Sequence, residues 1–104
     1  ALREAGKHAG EKEGNLNKAI QYLTRAWQLD PTVAETARLL GVAYGVAGQN
    51  DKAIEWFEKA LELAPQSAAI MRDLATAWHH AGDEAKAAEW LARARAIDPS
   101  IGQQ

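Results

Sequence analysis

Three prolines, Pro31, Pro65 and Pro99, stand 34 residues apart in a chain of 104 residues. Displacing the whole sequence by that step superposes much more. Gly14, Gly48 and Gly82 coincide, as do Ala19, Ala53 and Ala87, and Ala26, Ala60 and Ala94. Leu23, Phe57 and Leu91 share one register, Leu40 meets Leu74, and Tyr44 meets Trp78. A fixed period of this length means stacked supersecondary units, each burying its apolar face against a neighbour.

Each period holds two helical patterns. In the second period Leu39, Leu40, Ala43, Tyr44 and Ala47 recur at helical spacing, and Gly48 follows where a helix-ending residue must take positive φ. Asn50-Asp51 then reads as a cap, before Ala53, Ile54, Phe57, Ala60, Leu61 and Ala64. Pro65 stops that helix. Thr32-x-x-Glu35 reads as a capping box, and Ser67 and Asp83 read as N-caps in the third period. The alanines at 53 and 60 let helices approach closely, and Leu40, Tyr44 and Phe57 fill the space between.

The arrangement resembles the tetratricopeptide repeat (TPR). Leu40-Gly41-x-x-Tyr44, Ala53-x-x-x-Phe57, Ala60 and Pro65 reproduce the family pattern, with Ala37 in place of its leading tryptophan. Leu74-Ala75-x-x-Trp78, Ala87-x-x-x-Leu91, Ala94 and Pro99 follow, and the first unit keeps Ala19, Leu23, Ala26 and Pro31. The resemblance implies an all-α fold, a right-handed α-solenoid of about three helix-turn-helix units and six antiparallel helices. The units are expected at 1–33, 34–67 and 68–101, with a tail at 102–104.

In this frame the stretch AGKHAGEKEG, residues 5–14, holds Gly6 in the slot of Leu40 and Leu74, and Gly10 in the slot of Tyr44 and Trp78. Each lost anchor forfeits about 1.5–3 kcal/mol of burial, and each interior glycine costs about 1 kcal/mol relative to alanine. The expected first helix, residues 2–13 and ended by Gly14, is therefore the weakest. No strand precedes the stretch and no phosphate-binding glycine motif is matched, so it reads as a degenerate end repeat.

The resemblance also implies a concave groove lined by the first helix of each unit, where a peptide segment would lie. By position the groove residues are Glu4, His8, Glu11 and Lys12, then Glu35, Arg38, Val42, Gly45 and Val46, then Ala69, Arg72, Thr76, His79 and His80. Arg38 and Arg72 share a register, so two guanidiniums on one face are expected to grip an acidic segment or a C-terminal carboxylate. The bland alternative is that both are solvated or paired with Glu35 and Asp73. The family's clamp for chaperone tails is missing, since its positions hold Glu4, His8, Leu39, Ala69 and Asp73. No binding to that tail is expected.

Composition narrows the remaining classes. A net charge of −2 gives no general pull toward nucleic acid, and the absence of cysteine removes thiol chemistry and cysteine-based metal sites. No apolar run approaches the ~18 residues of a membrane span. A soluble chain, cytoplasmic or periplasmic, is expected. The adjacent His79 and His80 point to different sides of a helix and make a poor metal pair. Serine occurs only at 67 and 100, and no catalytic constellation stands out. No cofactor, metal or enzymatic activity is expected. Of four tryptophans, Trp78 reads as core, Trp56 and Trp90 as packing between units in the register of Tyr22, and Trp27 as partly exposed.

After Pro99 the residues SIGQQ are too short for a capping helix, leaving Ala88, Leu91 and Arg95 as a bare outer face. The expected function is a protein-interaction scaffold that binds a peptide in its groove. Two alternatives are a structural unit that self-associates through its ends, and a regulatory domain of a larger enzyme. The chain is expected to be a fragment of a larger scaffold.

Overall fold

The computed structural model describes residues 9–101, with side-chain surroundings from Gly14 onward. Five helices and no strand occur among them: α1 (Ala9–Leu29), α2 (Ala34–Val46), α3 (Asn50–Leu63), α4 (Ala68–His80) and α5 (Glu84–Ile97). α2 with α3, and α4 with α5, form two helical hairpins. α3 packs on α4, and α1 packs on α2.

Glycine turns make the hairpins. Gly48 has φ +82° and Gly82 has φ +91°. After each, the chain closes a paired hydrogen-bond motif: Gln49 N–H donates to Tyr44 O at 2.9 Å and Gly48 N–H to Gly45 O at 3.0 Å. Asp83 N–H to Trp78 O and Gly82 N–H to His79 O repeat it, both at 3.0 Å. These bonds satisfy carbonyls that a helix end leaves free.

Gly14 does not behave this way. It lies inside α1, so the expected break between two helices in the first unit is absent and one helix of 21 residues runs through it. A helix turns back only if the returning arm buries something. Gly10, which holds the slot of Tyr44 and Trp78, offers no side chain for that purpose. Keeping glycine in a helix costs about 1 kcal/mol, whereas ending the helix there leaves several backbone groups without intrahelical partners. Gly6 lies outside the described residues.

The caps are mixed. Ser67 Oγ accepts from Ile70 N–H at 3.2 Å and Asp83 Oδ1 from Lys86 N–H at 3.0 Å, as expected for N-caps. The capping box at Thr32 does not form. Asp30 Oδ1 instead accepts from the amide and hydroxyl of Thr32, and Val33 caps α2 without a side-chain bond. A turn built on Asp30-Pro31 therefore captures Thr32 first. Asp98 repeats that turn, accepting from Ser100 N–H at 3.1 Å and Ser100 Oγ at 2.7 Å. These hydrogen bonds hold both carboxyls below their ordinary value. Asn50 is the first helical residue rather than a cap, because its amide reaches across to His80 O at 3.3 Å.

The core lies between the hairpins. Leu40 and Leu74 are fully buried, and Ala37, Ala53, Ala60 and Ala94 are buried almost completely. Gly41 allows one close contact, since a Cβ there would stand 2.6 Å from two ring carbons of Phe57. Trp27 meets Trp56 edge to face at 5.3 Å, so both serve packing between units. Trp78 packs against the core cluster, although its Nε1 is buried without a hydrogen-bond partner among the described residues.

The outer face of α5 is partly covered, not bare. Ile101 packs with Met71, Ala94 and Leu91, and Arg95 Nε donates to Ile101 O at 3.1 Å. A single apolar residue past Pro99 is enough to cover the lower part of that face. Ala88 remains exposed.

Candidate peptide groove

α2 and α4 occupy equivalent places in successive hairpins, and a cleft opens between them with the start of α3 as its floor. A cavity of about 300 Å³ sits there. Its α2 wall is Gly41, Val42, Gly45 and Val46; α3 adds Asn50, Ala53 and Phe57; α4 adds Asp73, Thr76, Ala77 and His80. Val42, Val46, Ala53, Phe57 and Ala77 make the lining mostly apolar, and Gly41 and Gly45 leave space because they have no side chain to fill it. Val46 is 72% exposed and Val42 is 40% exposed, so both present apolar surface to a ligand.

Of the residues expected from sequence, Val42, Gly45, Val46, Thr76 and His80 come together in this cavity. Arg38 stands behind its rim. Its Nε donates to Asp73 Oδ2 at 2.6 Å, and its Nη1 lies 3.7 Å from Glu35 Oε1. The hydrogen bond to Asp73, above all, raises the guanidinium's proton affinity further. Arg72 is exposed and does not line the cavity. His79 turns away to bond Glu84 Oε2 at 2.8 Å, so of the two expected histidines His80 alone lines the cavity. His8 lies outside the described residues.

Sequence reasoning missed Phe57, Asn50 and Asp73 as wall residues. Phe57 reads as core and is core, yet the Gly41 notch lets its ring edge reach the cavity. Asp73 was visible only as one possible partner of an arginine. Thr76 spends its hydroxyl on Arg72 O at 3.1 Å, leaving the oxygen free to accept. Among the described residues no cluster of three His, Asp or Glu is placed to hold a metal ion. No helix among them is long and apolar enough to cross a membrane.

Paired helices stacked one period apart around a shared cleft define a helical-repeat solenoid. A family model described as tetratricopeptide repeat matches residues 32–100, and a second with that description matches residues 8–33. The chain belongs to the tetratricopeptide repeat family, whose members serve broadly as protein-interaction scaffolds. It resembles TTC0263, a thermophilic TPR protein of Thermus thermophilus, at 25% identity and a TM-score of 0.87, over 96% of this chain and 51% of that one. It also resembles MamA, at 27% identity and a TM-score of 0.77, over 82% of this chain and 46% of that one. A form of MamA from Desulfovibrio magneticus gives 26% identity, a TM-score of 0.79, and coverages of 88% and 52%. The chain thus spans about half the length of these structures. No curated protein matches its sequence.

Proposed function

We propose that this chain is a protein-interaction module that holds a peptide segment in the cleft between α2 and α4, within units spanning 1–33, 34–67 and 68–101. One observation carries the reading: a cavity of about 300 Å³ walled by exposed valines, two glycines and a few convergent polar groups. That volume is at the small end of ligand sites and suits a side-chain anchor. Val42 and Val46 supply the apolar contact, and Thr76 and Asn50 the polar rim. An acidic segment held between Arg38 and Arg72 fits less well, because Asp73 already occupies Arg38.

The test is an affinity capture from the source lysate with wild type, Val42→Glu/Val46→Glu and Arg38→Glu/Arg72→Glu, each checked for folding by circular dichroism. Loss of a specific partner in the valine variant supports the groove. Equal capture by all three places the contact elsewhere.

Self-association through the ends is a second reading, favoured by α1. Ala19 is exposed, whereas its register mates Ala53 and Ala87 are buried. Tyr22 and Leu29 on the same helix are 77% and 80% exposed. Light scattering across a concentration series separates the two readings. A rise in mass that persists in the valine variant favours end contacts.

A further inference from the structure

The cleft has one wall that is nearly all apolar and another that carries an incompletely satisfied carboxylate. Asp73 is 15% exposed, so most of its hydration is gone. Its Oδ2 takes the Arg38 Nε–H, and its Oδ1 has no hydrogen-bond partner among the described residues. A carboxylate so placed favours a further donor, and a charged donor most of all. Charge points the same way. Arg38 stands between Glu35 at 3.7 Å and Asp73 at 2.6 Å. Two carboxylates share one guanidinium, and the group keeps a net negative charge. A ligand carboxylate entering there would meet the open oxygen of Asp73, while Arg72 lies off the lining.

We propose, resting on the groove reading above, that the partner is a peptide segment with an aliphatic side chain beside a lysine or arginine. The aliphatic group seats between Val42 and Val46 over the edge of Phe57, and the cation meets Asp73 Oδ1. Gly41 and Gly45 make room for the first contact. Arg38 positions the acceptor for the second by fixing one oxygen and so aiming the other. This reverses the partner charge that two arginines in register suggest.

The experiment is selection of a displayed library of random dodecapeptides against the whole chain, with Val46→Glu as the counter-selection. The expected result is enrichment of sequences pairing Leu, Ile or Val with an adjacent Lys or Arg. A synthetic peptide of the enriched sequence should bind Asp73→Asn about tenfold more weakly, the effect of one charge-assisted hydrogen bond at a partly exposed site. Its Lys→Glu version should bind wild type more weakly still. Groove-dependent enrichment of acidic or uncharged peptides overturns the proposed chemistry while leaving the groove intact. Enrichment that Val46→Glu does not remove overturns both, as does no enrichment at all. Asp73→Asn is checked by thermal melting, and Asp73→Glu, which keeps the charge, should retain the preference for basic peptides.

Discussion

Gly41→Ala tests the packing beneath the groove. The new Cβ would lie 2.6 Å from Cδ1 and Cε1 of Phe57 and 3.0 Å from Cγ. Optimal carbon contacts are about 3.5–4.0 Å, so the overlap is roughly 1 Å. Forcing a methyl group into a packed core costs about 1–3 kcal/mol. Replacing glycine in a helix interior returns about 1 kcal/mol. The single variant should therefore be less stable by about 0–2 kcal/mol, a fall of several degrees in melting temperature for a chain of this size. The third unit shows the compensation: the registers of Gly41 and Phe57 hold Ala75 and Leu91. Gly41→Ala/Phe57→Leu should accordingly lose less than the sum of its parts, with a favourable coupling of about 1–2 kcal/mol. Urea denaturation of the four proteins, followed by far-ultraviolet circular dichroism, measures it. The reasoning fails if Gly41→Ala alone is stabilising by the full helical gain, or if the cycle is additive to within about 0.5 kcal/mol.

Gly14→Ala should stabilise by up to about 1 kcal/mol, because Gly14 is helical with open space around it, while Gly48→Ala should destabilise by about 1–2 kcal/mol at its positive φ. Equal losses from the two in thermal melts would mean that Gly14 turns the chain after all. Asp30 and Asp98 have depressed folded-state values, so their hydrogen bonds stabilise the fold above the ordinary 3.8 and lose that effect as pH falls through the lower folded values. The stability gap between wild type and Asp30→Asn/Asp98→Asn should narrow in denaturation series below about pH 4; a gap independent of pH would refute the assignment. Trp78→Tyr, which introduces the residue found at the equivalent position 44, loses packing but removes a buried N–H that has no partner among the described residues. It should cost no more than about 2 kcal/mol, against about 3–5 kcal/mol for Trp78→Ala, because an unpaired buried donor is itself worth about 1–3 kcal/mol.

The legible parts of the sequence were those set by a few adjacent residues. Gly48, Gly82, Ser67 and Asp83 act within a turn of their own position, and the structure uses each as the spacing indicates. The repeat frame is legible because burial of Leu40, Leu74, Ala60 and Ala94 recurs with the prolines. The misreadings share one cause, which is competition from something distant or stronger. Gly14 has the right residue for a turn, but the register slot in the preceding arm holds Gly10 rather than an aromatic. Thr32 has a capping sequence, but Asp30 reaches it first. Arg38 differs from these two, since its pairing with Asp73 and Glu35 is the alternative that the sequence itself offered. Such choices depend on which of two partners is nearer in space, and spacing along the chain does not encode that.

The groove forms where the two complete units differ while their frame stays the same. The registers that hold the hairpins together are kept: Leu40 with Leu74, Ala53 with Ala87, Ala60 with Ala94. Most registers that give the cleft a lining residue from one unit or the other are not, Ala43 with Ala77 being an exception. Leu39 becomes Asp73, Val42 becomes Thr76, Gly45 becomes His79 and Val46 becomes His80. Two identical units would present like walls to one another. These substitutions instead set an apolar wall with little side-chain bulk against a polar one, across a cavity that close helix packing would otherwise remove. Stability does not require the asymmetry, since Val42 and Val46 spend exposed apolar area that polar residues would cover at no loss to the core. A surface that differs at most cleft positions, on a frame largely kept beneath it, fits the proposed recognition role. Converting Val42 and Val46 to threonine and histidine should then leave the fold intact and abolish peptide selectivity, which thermal melting and the library selection read independently.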